Sequence, residues 1–316
     1  MKSKFLLLFL ILILAVLLGI IKGSVNIPLG ELFLKVNQPI LMLRVFRIIV
    51  GIIAGMGLAV SGIVLQAILR NCLAEPYLLG TSSGAGLGAV LAIVMGIAGV
   101  YLPLMAFIGA ILSVVLVYNL ARENNKIPEQ SLILSGVIVS VALSAIIIFL
   151  ISISPTEALH GATWWLWGSL QVYDFKLLGI VTFIVLAGVA VIYIFSQDLN
   201  AISIGEEEAL HLGVNIEIIK RVLIVVTSLI TASVVCICGI IGFVGLMIPH
   251  MMRFVVGPNH KTLIPATCLA AAIFMVVCDT LSRTLFPPLE IPIGVITAIL
   301  GAPVFIFLLK RRQKVR

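Results

Sequence analysis

The chain has 316 residues, of which 62% are hydrophobic and only 10% charged, with a formal net charge of +7. A water-soluble domain of that length needs far more charge on its surface, so the composition excludes one, and the apolar blocks are long enough to cross a bilayer. The excess of Lys and Arg reads as an orientation signal for a membrane protein, and nothing in it calls for nucleic acid as a partner.

Phe5 to Ile21 is an unbroken apolar run behind Lys2 and Lys4. No A-x-A-like cleavage site follows it, so it reads as a retained first span. Further spans are expected at 46–69, 79–99, 102–121, 131–153, 177–196, 222–240, 241–256, 263–286 and 292–309. The stretch 222–256 also reads as one long helix, but Gly239, Gly242 and Pro249 give it places to break. Ten spans with the N-terminus inside put 14 of the 20 Lys and Arg on the cytoplasmic side, whereas nine spans put 8 inside and 12 outside. The positive-inside rule therefore prefers ten. The expectation is an all-α polytopic membrane protein of about ten transmembrane helices with both termini in the cytoplasm.

Between spans two and three lies RNCLAEPYLLGTSSGAG (70–86), a run of charge, Pro, Gly and hydroxyls on the cytoplasmic side. Pro76 is expected to start a short helical turn. Behind it Gly80, Gly84, Gly88, Ala92 and Gly96 recur every fourth residue, a small-residue ridge that a neighbouring helix can approach closely. LEIPIGVITAILGAP (289–303) echoes LAEPYLLGTSSGA (73–85) from the opposite membrane face, as inverted repeats would, although the spacing is unequal. Span five carries Ser131, Ser135, Gly136, Ser140 and Ser144, a hydroxyl stripe that serves a path or bonds back to its own helix. Trp164, Trp165 and Trp167 read as an interfacial belt.

Between spans six and seven, GEEEALHLGVNIEIIKRV (205–222) is the longest polar insertion on the cytoplasmic face. Glu206, Glu207 and Glu208 suit a helix N-terminus, Gly213 a C-terminal end, and Asn215 the cap of a second helix, so two short helices joined at Gly213 are expected. Arg44 and Arg47 at the start of span two and Arg283 at the end of span nine lie near the extracellular mouth, where lone arginines commonly anchor helices at the interface. Asp279, four residues before Arg283, is expected to pair with it. The four His are scattered without an HExxH motif and the five Cys lack CxxC spacing, so neither a zinc nor a redox site is expected.

No G-x-x-x-x-G-K-[ST] phosphate loop is present, so any ATP must be hydrolysed on another subunit. An ion-coupled secondary transporter would carry several intramembrane acids, and only Asp279 and Glu290 qualify. An intramembrane enzyme would need a catalytic constellation that is not assembled here.

The run RxxRxxxGxxAGxGLAxSGxxxQxxxRNxLAEPxxLGxxxGA from Arg44 to Ala85, with GFVGLMIPHMMR (242–253) and LEIPIGVITAILGAPVF (289–305), resembles the FecCD-type permease family of ATP-binding-cassette importers for iron-siderophore complexes, heme and vitamin B12. Cys72 departs from that pattern, which usually has Pro there. The resemblance implies one permease domain over 1–316 in a prokaryotic cell membrane, assembled as a homodimer with two ATPase subunits inside and a substrate-binding protein outside. The implied cargo is an iron(III)-siderophore or related metal chelate, with heme or vitamin B12 as the alternative. No cofactor is expected on this chain, ATP and Mg belonging to the partner ATPase. Arg44, Arg47 and Arg283 then receive acidic residues of the binding protein. The loop about 205–221, with Glu206, Glu207, Glu208, Leu212, Gly213, Val214 and Asn215, contacts the ATPase. Ser135, Gly136, Ser140 and Ser144 with Gly294 and Ala298 line a path at the dimer interface, and Gly80, Gly84 and Gly88 serve helix packing.

Overall fold

The computed structural model describes residues 2–25, 27–31, 34–123, 126–172 and 174–313, and among these the regular structure is helical. Helix α1 (Lys2–Ile21) runs until Lys22 and Gly23 interrupt its apolar sequence. Helix α2 (Gln38–Ile68) starts with Pro at its first turn, where no intrahelical donor is lost, and spans 31 residues. It ends where Arg70 takes a positive φ of 43° and the Asn71 N–H folds back to the Gln66 carbonyl. A 3-10 turn over Pro76–Leu79 follows, and Gly80, at φ 74°, turns the chain into α3 (Thr81–Val94). Then come α4 (Tyr101–Ala121), α5 (Glu129–Ser152), α6 (Thr156–Leu166), α7 (Phe175–Ile194), α8 (Ser196–Ile204), α9 (Glu206–His211), α10 (Ile216–Cys238), α11 (Val244–Val256), α12 (His260–Thr284) and α13 (Ile293–Gln313).

Seven of these helices are long and apolar enough to cross a membrane, and the apolar helices over 81–94, 244–256 and 293–307 are shorter. All ten positions coincide with the apolar segments expected from the sequence. At 1.5 Å per residue α3 and α11 reach only about 20 Å against a hydrocarbon core of about 30 Å, so the irregular segments before them must be covered by protein. They are covered by each other. Helix α2 forms the centre, nearly every residue from Ile48 to Ile68 being buried beneath α12, α10, α11 and α7. α3 and α4 pack closely because Gly84 and Gly88 let the backbones meet: a Cβ at either would overlap a carbonyl oxygen of α4, that of Gly109 or of Met105.

The stretch between α7 and α10 differs from the expected pair of short helices joined at Gly213. The short pair is α8 and α9, joined at Gly205, and the helix that Asn215 caps is α10 itself, its Oδ1 accepting the Ile218 N–H at 3.3 Å. The boundary at Phe195 was hidden because the apolar run of α7 continues smoothly into Leu199 and Ile202, which α8 buries.

Candidate functional site

Three places carry the polar chemistry of this chain. The face to which the charge distribution assigns the cytoplasm is called the inner face below.

At the outer face, the first turns of α2 meet the last turns of α12. Asp279 is fully buried. Its Oδ1 accepts from Arg47 Nε at 2.9 Å, and Arg283 Nη2 lies 2.8 Å from Oδ2 in the i,i+4 pair expected from sequence. Arg47 Nη1 reaches Glu290 Oε2 at 2.6 Å, and the same oxygen accepts from Gln171 Nε2 at 2.8 Å. Arg44 donates to the carbonyls of Ile20, Ile21 and Val25, which tie the end of α1 to α2. Arg283 donates to those of Gly19 and Lys22. The sequence placed three arginines at the mouth as docking or anchoring cations, with Arg283 paired to Asp279. The structure turns them inward: Arg44, Arg47 and Arg283 are 3%, 8% and 2% exposed. They nonetheless line a small cavity of about 120 Å³ with Ser24, Phe46 and Glu290, so their edges stay within reach of the outer surface.

In the centre, the connection 70–80 clamps the break between α10 and α11. Tyr77 Oη donates to the Ile241 carbonyl at 3.0 Å and accepts the Ile241 N–H at 3.1 Å. Glu75 Oε1 accepts the N–H of Phe243, the residue that opens α11 with a positive φ of 69°. Gln66 Nε2 lies 3.2–3.3 Å from the carbonyls of Ala74, Gly245 and Leu246, and its Oε1 accepts from Arg253. On the other side of the break, the Ser169 N–H bonds to the Cys238 carbonyl, while Ile293 and Gly294 bond to the carbonyls of Gly168 and Trp167. This junction thus gathers the loops before α3, α7, α11 and α13. Gln66, Tyr77, Gln171 and Glu290 were not singled out as site residues; a Gln and a Tyr inside apolar or Pro-Gly stretches were the available signals.

Of the proposed path residues, Gly136 and Gly294 are contact positions in this structure. A Cβ at Gly136 would overlap the Leu78 carbonyl oxygen, and one at Gly294 the Trp167 carbonyl oxygen. Ser135 is buried, whereas Ser140, Ser144 and Ala298 are partly exposed on α5 and α13. Gly80 receives the Ser113 hydroxyl on its carbonyl at 2.8 Å.

At the inner face, α9 ends in a turn where Gly213 takes φ 80° with open space around it. Its N–H bonds to Leu210 and that of Val214 to Ala209, closing the helix end. The side chain of Glu206 lies outside the described residues, while Glu207 and Glu208 are exposed. Leu212 at 69% and Leu210 at 61% exposed, with Ile204 at 70%, form an uncovered apolar knob. The first was expected as a contact; Leu210 and Ile204 join it.

Comparison with known proteins follows this geometry. The model of the FecCD transport family matches residues 10–311. The cobalamin import system permease protein BtuC of Halobacterium salinarum is 40% identical over 272 residues, 86% of this chain and 73% of its own length. The Fe(3+) dicitrate transport system permease protein FecD of Escherichia coli is 34% identical, covering 85% of this chain and 84% of its own. Among solved structures, an ABC transporter assigned to the metal-chelate type and captured facing inward superposes with a TM-score of 0.91 at 32% identity, over 98% of this chain and 100% of that one. The helical membrane architecture, the three motif blocks and these matches converge: the chain belongs to the FecCD transport family and is a membrane permease of the ABC-importer kind.

Proposed function

We propose that the chain, acting as one permease domain over 1–316, is the membrane-spanning subunit of an importer that takes up an iron(III)-siderophore or related metal chelate. Two copies form the channel, two ATPase subunits drive it from inside, and a substrate-binding protein delivers the cargo outside. ATP and Mg are held by the ATPase and no cofactor by this chain. The observation that carries the reading is the apolar knob of Ile204, Leu210 and Leu212 on the inner face. Exposed leucines beside Glu207 and Glu208, away from the spans, fit a cleft on a second subunit. The ferric-citrate permease of Escherichia coli supports a ferric chelate. The cobalamin permease at 40% identity supports vitamin B12 as a second reading, and heme, implied by the family resemblance, stands with it.

Arg44, Arg47 and Arg283 receive the binding protein, and Ser140, Ser144 and Ala298 face the cargo. In proteoliposomes holding the complete importer, ferric siderophore, ferric citrate, heme and cobalamin are offered in turn. Saturable, ATP-dependent accumulation of a ferric chelate is expected; accumulation of cobalamin or heme alone assigns the second reading.

A further inference from the structure

A cavity of about 550 Å³ opens at the inner face between the end of α2, the end of α11 and the start of α12, lined by Arg70, Asn71, Ser203, Arg253, Phe254 and His260 among others. Its polar groups are unevenly paired. Arg70 Nε meets Glu129 at 2.9 Å, but among the described residues Arg253 has no carboxylate within ion-pair distance: it bonds to the neutral Gln66 amide and has the Cys72 thiol near it. A guanidinium half inside a protein without a counter-charge favours an anion.

His260, 3% exposed, gives the second requirement. The Lys261 N–H donates to Asn259 Oδ1 at 3.0 Å, and the Asn200 amide nitrogen donates to the same oxygen at 3.3 Å. That orientation turns Asn200 Oδ1 toward His260, where it accepts the backbone N–H at 2.9 Å and faces ring Nδ1 at 2.8 Å. An amide oxygen only accepts, so Nδ1 carries the proton and Nε2 presents a lone pair. Nε2 is buried and has no hydrogen-bond partner among the described residues. The cavity therefore offers a cation that wants an anionic oxygen and an acceptor that wants a hydroxyl.

We propose that this cavity binds a phosphate-bearing anion that also carries a hydroxyl, its charged oxygens on Arg253 and its hydroxyl donating to His260 Nε2. An anionic glycerol-type phospholipid headgroup and free phosphate share that chemistry. The surroundings suit the lipid: Phe254 on the rim is 64% exposed, and Lys4 Nζ sits 2.6 Å from the Val255 carbonyl at the same helix end. Basic pockets between membrane helices on the cytoplasmic side are suited to acidic headgroups.

The test is thermal unfolding of the delipidated full-length chain in detergent, titrated with short-chain phosphatidylglycerol, phosphatidylethanol, phosphatidylcholine and inorganic phosphate. Phosphatidylglycerol should raise the midpoint saturably and phosphatidylcholine should not. Phosphatidylethanol, anionic but without a headgroup hydroxyl, should bind about fivefold more weakly, the worth of one hydrogen bond. Arg253→Gln should weaken phosphatidylglycerol binding by about tenfold or more, and Arg253→Lys should retain most of it. If inorganic phosphate gives the full shift and the lipid adds nothing, the site stands with the solute as occupant. Equal effects of phosphatidylglycerol and phosphatidylcholine overturn the proposal, a comparison on the unaltered chain that needs no variant to fold. So does Arg253→Gln with unchanged lipid affinity but weakened association with the ATPase, which would give the cavity to a carboxylate of that partner.

Discussion

Asp279 is the residue on which the outer face turns. One fully buried carboxylate lies between two guanidiniums that are themselves almost buried, and each oxygen serves one of them. Removing a buried partner strands the others, which costs about 3–5 kcal/mol. Asp279→Asn should therefore lower the unfolding free energy in detergent by about that much. Glu290, whose side chain is 23% exposed at the edge of the same network, should cost about 1 kcal/mol or less as Glu290→Gln. Thermal unfolding of the two variants side by side checks this; equal losses would mean that Asp279 is not the hub. The i,i+4 pair was readable from sequence because it lies on one helix. The bonds of Arg44 to the α1 carbonyls and of Arg47 to Glu290 were not, since they join segments 23 to 243 residues apart. A docking partner's carboxylate must compete with those internal acceptors for the arginine edges.

At the scale of elements, the interrupted helices explain why a chain so apolar keeps the polar stretch 70–80. The break at 239–243 leaves backbone groups without helical partners inside the protein; Tyr77 answers at Ile241 and Glu75 at Phe243, while Gln66 reaches the Gly245 carbonyl in the first turn of α11. Gly239 takes φ 68° there, and Gly62 of α2 lies so close to α11 that a Cβ would overlap the Gly245 carbonyl oxygen. Gly62→Ala should destabilise the chain by about 1–3 kcal/mol through overpacking. Gly179→Ala on α7, with open space around it, should be neutral or slightly stabilising in the same unfolding assay. A Gly62→Ala variant as stable as the unaltered chain would contradict the α2–α11 approach. Element positions were legible because twenty-residue apolar runs are long signals. The short helices were less so: α6 read only as an aromatic belt, because Trp164 on the helix and Trp167 at its C-cap are exposed and Ala162 is the one buried position among its described residues. Which breaks face each other is a long-range fact that periodicity does not carry.

At the scale of the whole molecule, charge distribution and helix order give one orientation. A Cys placed at Thr156 should react with an impermeant reagent from outside intact cells, and one at Asn259 should stay protected; both positions are exposed, so burial cannot mimic protection. Asn124, a further inside position expected from the sequence, lies outside the described residues. Reaction of Asn259→Cys from outside would invert the arrangement. The same orientation puts α8 and α9 on the inner face, where the proposed ATPase would bind, and it makes Gly213 the sharpest probe of how the permease is driven. Its φ of 80° is out of reach for Pro, whose φ is fixed near −65°, and its N–H bond to Leu210 would vanish. Gly213→Pro should leave the chain inserted and docking its binding protein while the α9 end is displaced. The measurement that meets the central claim most directly is chelate uptake and ATP hydrolysis recorded together in proteoliposomes of the full importer, unaltered and Gly213→Pro. The account predicts uptake that requires ATP in the unaltered importer, and in the variant a hydrolysis rate that no longer rises with loaded binding protein, together with loss of uptake. Uptake that proceeds without ATP, or a fully inserted variant with both activities at the unaltered level, would contradict it.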